Sequence, residues 1–246
     1  MESPTMQGDP LRLETRLALM RSLDVKGLAP GQALFKLAPP TRGELAVRRA
    51  LAEWAFRVEE PPGKGWERID LYIRGPEGLG WGTADAITWK PRQPYTRNGM
   101  FAYCLAFAAA YVFEGLDPEI REHFCSSTGR LFRAYAKTER HVPLTSLLPG
   151  DVGIVAEPST LRAEPQGSHG VLIERVENGL AYTIEANAKG LGPDGKVFEG
   201  VVRRTRPLPK SAGGPGASSA KCPVSGRPQT SELCHAYRWI ESDFKR

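Results

Sequence analysis

The chain has 246 residues, 41% of them hydrophobic and 25% charged, which is enough apolar content for a folded core and excludes global disorder. Lysine and arginine outnumber aspartate and glutamate by 33 to 28, a formal net charge of +5. This excess is modest and scattered. It is compatible with nucleic acid, an anionic membrane or an anionic wall polymer as partner, and charge alone does not choose among them.

Neither the apolar runs along the chain nor the first ten residues indicate a membrane protein. Residues 1–10 (MESPTMQGDP) are polar and acidic, with no apolar core behind a basic start, so they do not match a secretory signal. The longest apolar run, residues 100–113, is shorter than the roughly 20 residues that a membrane-spanning helix needs. We therefore expect no membrane span.

The first part of the chain carries helical patterns. Residues 1–40 are predicted to be an N-terminal extension with one short helical pattern at residues 11–23. A helix is predicted over residues 41–58, because Thr41 can act as N-cap and Glu44 completes a capping box. Prolines and a glycine after residue 60 end it.

The middle of the chain is predicted to contain the central buried helix. Residues 66–73 predict a short helix, and residues 74–98, rich in Gly, Pro and Trp, predict a structured loop. Residues 98–114 are apolar nearly all round, as in a helix buried in the core. Residues 117–135 are predicted to be helical too.

After residue 147 the pattern changes to short β-branched runs separated by Gly, Asn and Pro. The predicted strands are residues 151–155, 170–173, 180–185, 200–205 and 236–241. Asn178-Gly179, between the second and third runs, is a strong hairpin signal. Helices followed by an antiparallel sheet predict an α+β fold. Residues 41–246 would form one domain, with a flexible insertion at residues 207–231, which are low in apolar content.

Four cysteines bear on metal binding and on redox state. They are Cys104, Cys125, Cys222 and Cys234. None forms a C-x-x-C pair and no Cys/His grouping has zinc-site spacing, so we expect no metal and no cofactor. Cys222 and Cys234 flank a Gly/Pro/Ser-rich stretch and could form a disulfide in an oxidising compartment, or remain free thiols; both alternatives stay open.

One set of residues suggests nucleophilic catalysis. Cys104 lies near the start of the buried helix, where the helix dipole favours a thiolate, and His169 opens a strand. The Asn178-Gly179 turn joins that strand to the next, so Glu185 or Asn187 could lie beside His169 and orient its ring. Each residue alone has a structural explanation, namely a packing cysteine, a structural histidine or a strand-end acid. The ordered set favours catalysis.

Five short motifs resemble, in the same order, those of CHAP/NlpC-P60-type amidohydrolases. They are EEPPG…IDLY at residues 59–72, YCLAF at 103–107, LPGDV at 148–152, SHGV at 168–171 and TIEAN at 183–187. The family patterns are E-x-P-x-G…Y, W-C-A-x-F, R-P-G-D-L, G-H-V-G and T-I-E-G-N. This chain departs from them at Tyr103, in place of Trp, and at Gly170, in place of Val after the base.

The resemblance implies a papain-like fold, with N-terminal helices packed on a small antiparallel sheet, and a Cys-His-Glu triad. Cys104 would be the nucleophile, His169 the base and Glu185 the orienting acid, with Asn187 as a polar group beside it. The backbone N–H of Cys104 and the loop before it would form the oxyanion hole. The expected activity is peptidoglycan hydrolysis, as amidase or endopeptidase, through a thioester intermediate.

The resemblance also implies the setting of the reaction. The expected partner is a peptidoglycan stem peptide, with a delivery apparatus, a holin or an immunity protein as further partners and no nucleic acid. The protein would be synthesised in the cytoplasm and act at the cell wall or periplasm after release or delivery. Two alternatives stay open: a papain-like hydrolase or effector acting on a non-wall amide, and a catalytically inactive binding module.

Overall fold

The computed structural model describes residues 40–59, 63–65, 67–74, 103–124, 127–156, 169–216 and 231–245. All of these except Pro40 belong to one compact unit, Thr41–Arg246. They form helices and an antiparallel sheet, so the predicted α+β class is confirmed at that level. The predicted N-terminal extension before residue 40 and most of the predicted loop at residues 74–98 lie outside the described residues.

Helix α1, Arg42–Ala55, begins as the sequence predicts. The Thr41 side chain accepts from the Glu44 backbone N–H, and the Glu44 carboxylate accepts from the Thr41 N–H at 2.7 Å, which completes the capping box. The helix ends at residue 55 rather than 58, because Arg57 takes a left-handed backbone with φ of 56°. Helix α2, Glu67–Arg74, lies within one residue of its predicted bounds.

The central helix differs from a regular α-helix. Its described part opens with helical residues 104 and 105 and continues as a π-helix, Ala106–Tyr111, which ends three residues before the predicted boundary. As predicted, it is buried, with every residue from 103 to 110 at most 5% exposed. π-Helical turns are frequent at functional sites.

Two separate helices replace the single helical stretch predicted at residues 117–135. They are α3, Pro118–Phe124, and α4, Thr128–Tyr135. The break occurs because Ser127 is extended, with φ of −148°, and acts as the N-cap of α4 by accepting from the Arg130 N–H.

The sheet has the strand order β4-β3-β2-β1-β5, and each pair of neighbours is antiparallel. Its strands are β1, Val152–Ala156; β2, His169–Glu177; β3, Leu180–Leu191; β4, Val197–Pro207; and β5, Glu232–Tyr237. The β2–β3 turn matches its prediction, since Asn178 and Gly179 have φ of 51° and 72°, the signs that a tight hairpin turn requires. Strand β5 begins four residues before its predicted start at residue 236.

The sheet is buried on both faces along its central strands. On one face Ile154, Leu172 and Ile184 pack with the helices, in the same apolar cluster as Phe107. On the other face Val155, Val171, Ile173, Ala181 and Leu233 form a second cluster. Among the described residues, no helix is long and apolar enough to cross a bilayer.

The first ten residues of the predicted insertion are described, and Leu208 among them takes part in this packing. Leu208 is 3% exposed and lies in the second cluster, and its backbone N–H donates to Gly179 O at 3.0 Å. A short 3-10 helix, Lys210–Ala212, follows. The low apolar content of residues 207–231 therefore does not indicate that this stretch begins with a folded segment. Residues 217–230 lie outside the described part of the chain.

Candidate active site

Cys104 lies at the start of the described part of the central helix. The Phe107 N–H donates to Tyr103 O at 2.9 Å, so the thiol stands in the first closed helical turn. The side chain is buried, at 5% exposed. The backbone N–H groups of Gly170 and Leu105 point at the sulfur and favour the thiolate. A cysteine at such a helix start is set up for a lowered pKa.

A buried carboxylate anchors this helix to helices α1 and α2. Glu53 of α1, 2% exposed, accepts from the Tyr72 hydroxyl of α2 at 2.8 Å and from the Tyr111 hydroxyl at 3.0 Å. Arg68 pairs with both of its oxygens. The Tyr72 ring also packs against Phe107, with centroids 4.9 Å apart. The Tyr72 position of the first motif thus has a structural role.

Strand β2 meets the helix where Gly170 is required. A Cβ at Gly170 would lie 2.8 Å from Leu105 Cδ1 and 2.9 Å from Leu105 Cα. Only glycine allows this approach, and it brings the start of β2, with His169, next to Cys104. The departure at residue 170 from the motif that the chain resembles therefore coincides with a close approach of strand and helix.

His169 links Cys104 to Glu185. Its Nε2 lies 3.0 Å from Glu185 Oε2, and its side chain also forms a hydrogen bond with Cys104. Since Nε2 faces Glu185, Nδ1 is the ring nitrogen left for the thiol. The His169 side chain is 23% exposed, whereas that of Glu185 is fully buried. The three residues proposed from sequence as a triad are thus brought together in the expected order.

Asn187 occupies a different environment from Glu185. A register irregularity lies between Glu185 and Ala188, and Asn187 has a left-handed backbone with φ of 55°. The regular strand that would place both side chains on one face is therefore interrupted. Asparagine tolerates this backbone better than most residues. The group that accepts a hydrogen bond from His169 Nε2 is the Glu185 carboxylate.

Arg206 and Thr183 complete the surroundings of Glu185, and sequence reasoning assigned neither to the site. Arg206 Nε and Nη2 donate to the two carboxylate oxygens at 2.7 and 2.6 Å, and Thr183 Oγ1 donates to Oε1 at 2.6 Å. Arg206 is 5% exposed. The strand pattern VVRRTR holds a usable signal, because an arginine directed toward a core requires an acidic partner and Glu185 is on the neighbouring strand.

The electrostatics favour an ion pair between Cys104 and His169. Burial raises the pKa of the Cys104 thiol, but the His169 charge and hydrogen bond and the two backbone N–H groups bring it below its usual value. Burial lowers the pKa of His169, but Cys104 and Glu185 outweigh it and raise that pKa to about 9. Burial opposes ionisation of Glu185, but Arg206 and His169 hold its pKa well below the usual range.

The remaining described thiol is unlike Cys104. Cys234 is a free thiol that donates to Ile154 O at 3.1 Å, and burial raises its pKa to about 12. Cys125 and Cys222 lie outside the described residues, so a Cys222–Cys234 disulfide stays an untested alternative. Within the described ranges, no group of three or more His, Cys, Asp or Glu side chains could hold a metal ion.

The arrangement of these residues can carry out nucleophilic chemistry. A thiolate at a helix start can attack a carbonyl carbon. The imidazolium paired with it, which a buried carboxylate orients, can donate a proton to the leaving group. Comparison of the chain with models of known protein families, with curated proteins and with solved structures finds no match.

Proposed function

We propose that this chain is a cysteine amidohydrolase that cleaves an amide bond of peptidoglycan stem peptides. The observation that carries the proposal is the continuous contact from the Cys104 thiol through His169 to the buried Glu185 carboxylate. The peptidoglycan substrate is supported by the five ordered motifs that resemble CHAP/NlpC-P60 enzymes. The geometry supports the chemistry, and the resemblance supports the substrate.

In the proposed reaction the Cys104 thiolate adds to the carbonyl carbon of the amide. The imidazolium of His169 donates its Nδ1 proton to the amine nitrogen as the C–N bond breaks, leaving a thioester. Neutral His169 then takes a proton from water, whose oxygen attacks the thioester and regenerates the thiol with release of the carboxylic acid. Glu185 keeps the ring oriented and stabilises its positive charge in both steps.

Digestion of purified cell-wall sacculi, followed by mass spectrometry of the muropeptides, tests the proposal. New free amino termini within stem peptides would indicate an endopeptidase, and release of whole peptides from muramic acid would indicate an amidase. Cys104→Ser should abolish either product. Cys234→Ser is the matched control, because this thiol is protonated and contacts a backbone carbonyl, and it should keep wild-type activity.

Three outcomes would contradict the proposal in different ways. Hydrolysis that persists in Cys104→Ser would remove the assigned nucleophile. Absence of any muropeptide product, together with a reactive Cys104 thiolate, would instead favour a cysteine hydrolase acting on a non-wall amide. An unreactive Cys104 would favour the binding module.

A further inference from the structure

Arg206 forms the most complete set of contacts with Glu185. Its guanidinium spans the carboxylate with Nε on Oε1 at 2.7 Å and Nη2 on Oε2 at 2.6 Å. Its third nitrogen, Nη1, donates to Ser231 Oγ at 3.2 Å. The side chains are 7% and 0% exposed, so the pair is shielded from water. Such fork-shaped pairs fix the plane of the carboxylate as well as its charge.

The contacts of the Glu185 carboxylate leave one orientation for the His169 ring. Oε1 accepts from Arg206 Nε and from Thr183 Oγ1, and Oε2 accepts from Arg206 Nη2 and lies 3.0 Å from His169 Nε2. A carboxylate offers about four acceptor positions, and these four contacts use them. The imidazole therefore meets Oε2 in a single orientation, which turns Nδ1 toward Cys104.

We propose that Arg206 is a positioning residue for the Cys104–His169 pair, which holds Glu185 ionised and in plane so that its Oε2 orients the imidazole. The inference rests on the proposed cysteine chemistry and adds to it a residue outside the triad. Arg206 acts only through Glu185, on the charge and the orientation of the His169 ring.

The sign of its effect follows from the charges around the pair. The charged groups that act most strongly on Glu185 are Arg206 and His169, and those on His169 are Cys104 and Glu185. Without Arg206, the effect of burial raises the pKa of Glu185, and a Glu185 that takes up a proton stops stabilising the imidazolium. The Cys104 thiolate, which is paired with that imidazolium, then becomes harder to form, so thiolate formation moves to higher pH.

The direct test is the pH dependence of Cys104 alkylation by iodoacetamide, followed by peptide mass spectrometry. In Arg206→Gln we expect the midpoint of Cys104 labelling to rise by about one pH unit or more. Arg203→Gln is the matched control. Arg203 lies on the same strand and also forms a fork with a glutamate, Glu174, at 2.9 and 2.6 Å, and its loss should leave the midpoint unchanged.

A loss of structure alone would lower the fraction of protein that is folded. It would not raise the pH midpoint of Cys104 labelling within that folded fraction. Folding of each variant is therefore followed by circular dichroism. An unchanged midpoint in folded Arg206→Gln, or an equal rise in Arg203→Gln, would overturn the proposal.

A second variant separates the charge from the fork. Arg206→Lys keeps a positive charge but cannot bind both oxygens in one plane. Its labelling midpoint should stay near that of the wild type, while kcat falls about tenfold or more with KM unchanged, because ring orientation is lost. A wild-type kcat in Arg206→Lys would overturn the role of the fork, even if Arg206→Gln does not fold.

The labelling readout distinguishes this inference from the proposed function. A wild-type midpoint well below that of a free thiol, with no muropeptide product, would reject the peptidoglycan substrate and leave the Arg206 test valid. A wild-type midpoint at the value of an ordinary thiol would reject the ion pair, and with it both proposals.

Discussion

At the scale of single residues, the proton on His169 limits the pH range of the proposed enzyme. Cys104 and Glu185 raise the pKa of His169 to about 9, above the usual 6.5. The imidazolium that donates to the leaving amine is therefore present below that pH and is lost as pH rises through it. We expect kcat/KM to fall on the alkaline side with an apparent pKa near 9, measured from pH–rate profiles. An alkaline limb near 6.5 would contradict the ion pair.

The partner of His169 can be identified by comparing Glu185→Gln with Asn187→Gly. Loss of the Glu185 charge removes one of the influences that raise the pKa of His169, so the alkaline limb should move to lower pH and kcat should fall by about a hundredfold or more. Asn187→Gly keeps the left-handed backbone, since glycine accepts a φ of 55°, and should cost less activity.

Steady-state kinetics over a range of pH measures both variants. A larger loss of activity in Asn187→Gly than in Glu185→Gln would make Asn187, and not Glu185, the third member of the triad. Glu185→Gln removes the negative charge that the buried Arg206 guanidinium binds, which can lower stability. The folded fraction of that variant is therefore measured alongside its activity.

At the scale of elements, the site depends on how closely β2 approaches the central helix. Gly170→Ala would place a Cβ within 2.9 Å of the Leu105 backbone, which forces strand and helix apart. We expect a loss of about 1–3 kcal/mol in the free energy of unfolding, and a large loss of Cys104 labelling at neutral pH, because His169 and Gly170 N–H both move away from the sulfur.

Gly190→Ala is the control for this change. Its Cβ would lie 2.8 Å from Val202 Cβ, so it creates similar crowding on β3 without contacting the central helix. It should lower stability while leaving the labelling rate of the folded protein unchanged. Equal labelling in the two variants would show that strand–helix spacing does not control the thiol.

Sequence predicted some elements closely and others poorly, for identifiable reasons. The start of α1 and the Asn178-Gly179 turn are encoded by local interactions, a capping box and two residues that accept positive φ, and both were predicted. The π-helix was not, because its apolar side chains satisfy an α-helical pattern equally well. The break at Ser127 was missed because its capping interaction is one short polar contact within a helical pattern.

The candidate site likewise contains residues that were predicted from the sequence and residues that were not. That Cys104, His169 and Glu185 lie together was predicted because they occur in an ordered set of motifs, which the resemblance connects. Arg206 was missed because its role depends on a cross-strand contact in the buried interior, and arginines usually lie at the surface. The register irregularity between Glu185 and Ala188 was not predicted, because side-chain alternation along a strand assumes regular pairing throughout.

At the scale of the whole molecule, the boundary between core and insertion can be located by stability. Leu208 is 3% exposed and packs with Val155, Val171 and Ile173 beneath the sheet, although composition alone assigned it to the insertion. Leu208→Ala should therefore lower the free energy of unfolding by about 2–5 kcal/mol, through lost burial and a cavity.

Residues 217–230 should behave differently, because their sequence has too little apolar content to bury. Replacing them with a Gly/Ser segment of the same length keeps the chain connection between Gly216 and Ser231, and removes Cys222. Urea unfolding under reducing conditions should give a midpoint close to the wild type for this replacement and a clearly lower one for Leu208→Ala. A large loss of stability in the Gly/Ser protein would show that the core extends into these residues, whereas an unchanged midpoint in Leu208→Ala would place the core boundary before residue 208.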